Sequence, residues 1–219
     1  MKTIRVTGKG EIRLHPDTAR ITIDLEGHYK EYTDTLRRSA EDTEALKDLL
    51  QPFGFERSDL KTLSFNIDAE YESFREKGEW KQRFKGYQFL HSVRLQFPSD
   101  NERLGRILYA LANSRLSPEF RISYTVADPE AARNELLGKA VADSKAKAAV
   151  LTEAGGVRLG EIQTIDYSWG RLDIEYRPMR SNMLCDCEAP MATKASYDID
   201  IEPDDIELSD TVTVVWEIL

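Results

Sequence analysis

The sequence predicts an α+β fold: a mostly antiparallel sheet with helices packed on one face. Three observations carry that prediction. Several stretches alternate apolar and polar residues, the mark of a half-buried strand. Three others place apolar residues at steps of three and four, the mark of one helical face. Strand-like stretches also follow one another with no helix between them, which is the arrangement of an antiparallel sheet. The expected order is β-β-α-β-β-α-β-α-β-loop-β.

The first strand shows Ile4, Val6, Gly8, Gly10, Ile12 and Leu14 alternating with polar residues. Pro16-Asp17 interrupts the pattern, and Ala19, Ile21, Ile23, Leu25 and Gly27 resume it. Two such runs with a short break read as a hairpin. The period then changes: Tyr32, Leu36, Ala40, Thr43, Leu46 and Leu50 fall on one helical face, closed by Pro52 and Gly54. Leu63, Phe65, Ile67, Ala69 and Tyr71 form a strand face, and Tyr87, Phe89, His91, Val93, Leu95 and Phe97 another. The polar link between them, with Gly78 near its middle, suggests a long hairpin.

Ser99 and Glu102 stand at capping-box spacing before a helix with Leu104, Ile107, Leu108 and Leu111 inward. Phe120, Ile122, Tyr124 and Val126 make a fifth strand. Asp128-Pro129 supplies an N-cap and a first-turn proline. The helix they open runs through Leu137, Val141, Ser144, Ala148 and Leu151 to Gly155-Gly156. Ile165, Tyr167 and Trp169 suggest a sixth strand. The last strand, from Ile206 through Val212, Val214 and Trp216 to Ile218, is the clearest. The whole chain, 1–219, reads as one domain with room for two lobes and an irregular loop over about 170–205.

The 219 residues are 32% charged and 41% hydrophobic, an ordinary globular balance. The net charge is −9. Between Cys185 and Asp210 there are nine acids and one base, Lys194, so that segment holds eight of the nine net negative charges. An acidic chain argues against nucleic-acid and anionic-membrane partners. The start has no apolar leader core, and no stretch has the apolar length of a membrane span. Cys185 and Cys187 are the only cysteines, and one intervening residue disfavours a mutual disulfide. The expectation is a cytoplasmic protein with no membrane insertion.

Several short stretches, taken in order, resemble one family. They are Val6-Thr7-Gly8-Lys9-Gly10-Glu11, Pro16-Asp17-Thr18-Ala19, Ser58-Asp59-Leu60-Lys61-Thr62, Gly86-Tyr87, Leu104-Gly105 and Asp128-Pro129-Glu130-Ala131-Ala132. Lys139-Ala140-Val141-Ala142-Asp143, Lys145-Ala146-Lys147-Ala148 and Ile206-Glu207-Leu208-Ser209-Asp210-Thr211-Val212-Thr213-Val214 complete the set. The ordered set resembles the SIMPL-domain family of YggE-type and periplasmic immunogenic proteins of Gram-negative bacteria. The resemblance implies a two-layer α+β fold, homo-oligomers and a loose link to oxidative-stress defence. It implies no enzymatic activity, no catalytic residues and no cofactor. The chain departs from the periplasmic members in lacking an export signal and in carrying two cysteines in the late loop.

Gly8-Lys9-Gly10 lacks the strand-to-helix context of a phosphate cradle and reads as strand glycines where another backbone comes close. Cys185, Cys187 and Met183 are candidate soft-metal or redox ligands, although no histidine lies near them and a closed zinc site needs four ligands. Asp186 and Glu188 would raise the thiol pKa values and lower their reactivity. Asp198, Asp200 and Glu202 lack the glycine of a calcium loop. His91, on an apolar strand face, reads as a satisfied core histidine. At the hairpin tip, Trp80, Phe74 and Arg83 are the candidate partner-binding residues, with Trp80 as an anchor for another protein. The function expected is a non-enzymatic homo-oligomeric scaffold or binding protein. The alternatives are a metal- or redox-responsive module using Cys185 and Cys187, and an enzyme with a dispersed site.

Overall fold

A computed structural model describes residues 2–76, 78–167, 174–175 and 201–219. Its elements are strands β1 (Thr3–Leu14) and β2 (Thr18–Tyr29), helix α1 (Tyr32–Leu50), strands β3 (Lys61–Glu76) and β4 (Glu79–Pro98), helix α2 (Asn101–Ala112), strand β5 (Glu119–Thr125), helix α3 (Pro129–Ala154), and strands β6 (Leu159–Asp166) and β7 (Ile206–Ile218). A single 3-10 turn, Gln51–Phe53, ends α1. The α+β class and the expected order of strands and helices are both found.

The strands divide between two sheets, of order β1-β7-β6 and β3-β4-β2-β5, and the chain forms two compact units around them. The expected hairpin between the first two strands is therefore corrected. β1 pairs antiparallel with β7, from Thr3 opposite Glu217 to Leu14 opposite Ile206. β2 pairs antiparallel with β4. The reason lies in the side chains. β1 buries every second residue, which suits an outer strand under one helix. β2 is hydrogen-bonded on both sides in the middle of its sheet and buries Ala19, Ile21, Ile23 and Leu25 completely or nearly so.

In the three-stranded unit, α3 lies across β1 and β7. Gly8 and Gly10 explain how close it comes. A Cβ on Gly8 would stand 2.0 Å from the Ala140 carbonyl oxygen, and one on Gly10 2.2 Å from that of Leu136. Small residues on the helix complete the fit: Ala132, Ala140, Ser144 and Ala148 are buried in one row with Leu136, at steps of four. Of the expected stripe, Ser144 and Ala148 are buried, Leu137 and Val141 are half-buried against the same core, and only Leu151 faces solvent. Only the alanine and serine stripe allows a backbone approach of this kind. Asp128 caps α3 by accepting from Ala131 N at 2.9 Å, with Pro129 in the first turn, and the helix stops at Gly155.

In the four-stranded unit, α1 packs across β2 and β4 and touches α2. Leu46 and Leu50 are buried as expected, but the buried residues of the first two turns are Thr35 and Ser39. Tyr32 and Leu36 are exposed. Thr35 and Ser39 bury without cost because their hydroxyls donate to the carbonyls of Glu31 and Leu36, both at 2.9 Å. α2 buries Leu104, Ile107, Leu108 and Leu111 as expected. Its cap is Asp100, whose side chain accepts from Arg103 N at 2.9 Å, one residue beyond the expected Ser99.

Candidate functional site

β3 and β4 form the expected long hairpin, turning at Gly78 with φ +90, a conformation in which glycine carries no steric penalty. Its register shifts twice: Leu63 is an extra residue on β3, and Lys85 an extra residue on β4. The run between, Ser64–Glu70 against Ser92–Gly86, is regular.

The structure places Phe74 and Arg83 together: the guanidinium lies 5.6 Å from the ring centre, and its Nε donates to Glu72 at 2.6 Å. Trp80, 74% exposed, pairs across the hairpin with Arg75 and so lies on the opposite face from Phe74, whose partner is Lys81. The tip cations have acidic neighbours: Lys81 meets Glu76 at 2.5 Å and Lys85 meets Glu70 at 2.7 Å. These surface pairs leave little concentrated positive field for phosphates.

An aromatic chain missed by sequence reasoning runs along the Trp80 face. Tyr71 meets Phe84 at 5.8 Å, Phe84 meets Tyr87 at 5.2 Å, and Tyr87 meets Tyr32 of α1 at 5.4 Å, all edge-to-face. Tyr71 is 57% exposed, Leu63 49% and Phe65 42%. Beside them an open groove of about 410 Å³ lies between α1 and β3, lined by Leu36, Ala40, Thr43, Thr62, Phe65 and His91. The apolar alternation of β3 was visible in the sequence. What was not visible is that α1 sits over β2 and β4 and leaves the β3 residues Leu63, Phe65 and Tyr71 open.

His91 closes the floor of this groove. Its Nδ1 lies 2.9 Å from the Thr43 hydroxyl, and its Nε2 lies 2.9 Å from that of Thr62. The Thr43 hydroxyl donates to the Ser39 carbonyl at 2.7 Å, so it accepts from Nδ1–H, and Nε2 accepts from Thr62. Both nitrogens of a neutral ring are thus satisfied, and the edge of one ring meets the face of the other between His91 and Phe65 at 5.2 Å. Burial, and secondarily the Lys47 ammonium, hold His91 below the usual 6.5. The unfolded chain therefore takes up this proton first as pH falls below about 6.5. The stability tied to the neutral ring is complete above that pH and drains away below it, until the native ring also protonates. His91→Gln should flatten the loss. Urea midpoints at several pH values from 7.5 to 5 check this, and equal slopes in both proteins would refute it.

Among the described residues there is no group of three or more histidine, cysteine, aspartate or glutamate side chains placed to hold a metal ion. Cys185, Cys187 and Met183, and most of the expected 170–205 loop, lie outside the described residues. No helix among the described residues is long and apolar enough to cross a membrane.

The family model of SIMPL, "Protein of unknown function (DUF541)", matches residues 4–216. The chain belongs to the SIMPL family. A 26 kDa periplasmic immunogenic protein of Brucella melitensis is 27% identical over 163 residues, covering 74% of this chain and 65% of that protein. Its namesake in Brucella abortus is 26% identical over the same shares. The chain thus spans just under two thirds of the Brucella relatives. The uncharacterized protein YggE of Edwardsiella ictaluri is 23% identical over 214 residues, 97% of this chain and 85% of that protein. Among solved structures, CutA from Synechococcus elongatus covers 59% of this chain and 94% of its own at 13% identity, with a TM-score of 0.21, too low to inform the fold.

These SIMPL relatives correct one expectation. The cytoplasmic location does not hold, because the Brucella proteins are named as periplasmic. The expectation leaned on an absent leader and a low cysteine count. A leader is removed from an exported protein, and two cysteines do not require a reducing compartment, so neither observation fixes the location.

Proposed function

We propose that this SIMPL protein is a non-enzymatic, homo-oligomeric scaffold or binding module. Its setting would be the stress defence that the family resemblance implies, in the compartment its Brucella relatives are named for. The observation that carries this reading is the uncovered apolar face of the four-stranded unit: Leu63, Phe65, Tyr71, Trp80 and Phe84 all stand open to solvent. Contiguous exposed apolar surface is the usual mark of a contact site. Support also comes from His91, the described histidine nearest a groove. Both its nitrogens are engaged by hydroxyls, which leaves neither lone pair nor N–H turned toward the groove for proton transfer. Light scattering across micromolar concentrations tests the reading. A mass well above the 25.0 kDa of one chain, falling on dilution, is expected. A constant single-chain mass would overturn the homo-oligomer.

A further inference from the structure

We infer that β3 pairs antiparallel with β3 of a second copy, on a two-fold axis through Ile67. This rests on the assembly reading above and names the surface and the register.

Among the described residues, four strands end the two sheets: β1, β6, β3 and β5. A sheet edge offers unpaired N–H and C=O groups and invites another strand unless it is short, charged or bulged. β1 presents Arg5, Lys9 and Arg13 on its exposed face. β5 is only 7 residues long. β6 has 8 residues and two register shifts. β3 has 16 residues, and its edge face carries exposed Leu63, Phe65 and Tyr71. β3 is itself bulged at Leu63 and carries Asp68, Glu70 and Glu72, but it is the longest of the four and exposes the aromatic rings of Phe65 and Tyr71.

The register follows from faces and charges. Phe65, Ile67 and Ala69 share one face, and Ser64, Asn66, Asp68 and Glu70 share the other. Like faces stay together only if the axis passes through a residue rather than between two. Centred on Asp68, the pairing sets two carboxylates opposite each other. Centred on Ala69, it sets Asp68 against Glu70. Like charges directly opposite destabilise a sheet. Centred on Asn66, it places Glu70 opposite Thr62, beyond the shift at Leu63. Centred on Ile67, it pairs Ser64 with Glu70, Phe65 with Ala69, Asn66 with Asp68 and Ile67 with itself. That register uses the whole regular run, whose midpoint is Ile67, and gives each acid a neutral hydrogen-bonding partner. The two Asp68 side chains then stand diagonally, about 7–8 Å apart, where solvent screens them. An axis of this kind keeps both α1 helices on one side of a joined sheet, with Phe65, Ile67 and Tyr71 of each copy in the trough between them.

The full chain carrying Cys185→Ser and Cys187→Ser serves as the parent for cross-linking. Ile67→Cys in that parent should give a covalent dimer with a short bismaleimide. Ser73→Cys should not, because its two copies would lie about 40 Å apart along the strands. Ile67→Lys, which sets two ammonium groups face to face, should lower the light-scattering mass of the assembly at unchanged circular dichroism. An assembled protein that keeps its mass in Ile67→Lys and gives no Ile67→Cys dimer would overturn the β3 pairing while leaving the scaffold reading intact. A wild type that is monomeric at every concentration would overturn both. Protection of the β3 amides from hydrogen exchange in such a monomer would assign the edge to another segment of the same chain.

Discussion

Gly8→Val should destabilise the three-stranded unit by about 3 kcal/mol or more, at the upper end of overpacking effects. The atoms that a new Cβ would meet are backbone: the Ala140 carbonyl oxygen at 2.0 Å and Ser144 N at 2.4 Å. No rotamer change relieves such a clash. The helix must move away, which also separates Ala140 and Ala148 from Val6, Val212, Val214 and Trp216 in the same cluster. It would also lengthen the contact from the Ser144 hydroxyl to the Val6 carbonyl, now 3.3 Å. Denaturant titration followed by Trp fluorescence measures the loss. Lys9→Ala, one residue further on and exposed, should stay within about 0.5 kcal/mol. Equal effects at the two positions would mean that close helix approach is not why glycine stands at position 8.

The second large effect is expected from Phe89→Ala, about 3–5 kcal/mol in the four-stranded unit. Phe89 is completely buried and sits opposite Gly27 in the β2–β4 register. Its ring fills the space a side chain on Gly27 would take: a Cβ there would lie 2.4 Å from the ring. Removing the ring leaves a void that glycine has no atoms to fill, so the lost contacts are not recovered. Trp80→Ala removes a larger side chain at the exposed tip and should change stability by no more than about 0.5 kcal/mol. A Phe89→Ala loss below about 1 kcal/mol would indicate that the sheet collapses onto the gap.

Local signals in the sequence proved reliable where the physics is local. Alternation in Ile206–Ile218, the Asp128-Pro129 start of α3 and the Gly78 turn all appear where expected. The glycines at 8 and 10 were readable as a close backbone approach, though not as the approach of α3. What escaped is set by contacts distant in sequence. Alternation shows that a strand has two faces but not which strand lies beside it, so β1 and β2 were paired with each other. Tyr32 and Leu36 looked buried because they are apolar, while Thr35 and Ser39 satisfy their own hydroxyls and take the inner face. The same blindness hid the open face of β3, since periodicity does not say whether a second layer covers a strand. Ser99 and Asp100 are both good cap formers, and spacing alone favoured the wrong one.

The pairing of β1 with β7 joins residues far apart in sequence, 206 positions in the Thr7–Thr213 contact, whereas β2, β3 and β4 form a sheet with their near neighbours. A ribosome delivers residues in order, and domains fold as they emerge. The described strands of the four-stranded unit are therefore all made before α3, while β1 waits for its partner until β7 is made. During that interval its edge is open to any passing chain, so the yield of correctly folded protein should depend on whatever shields β1 as it waits.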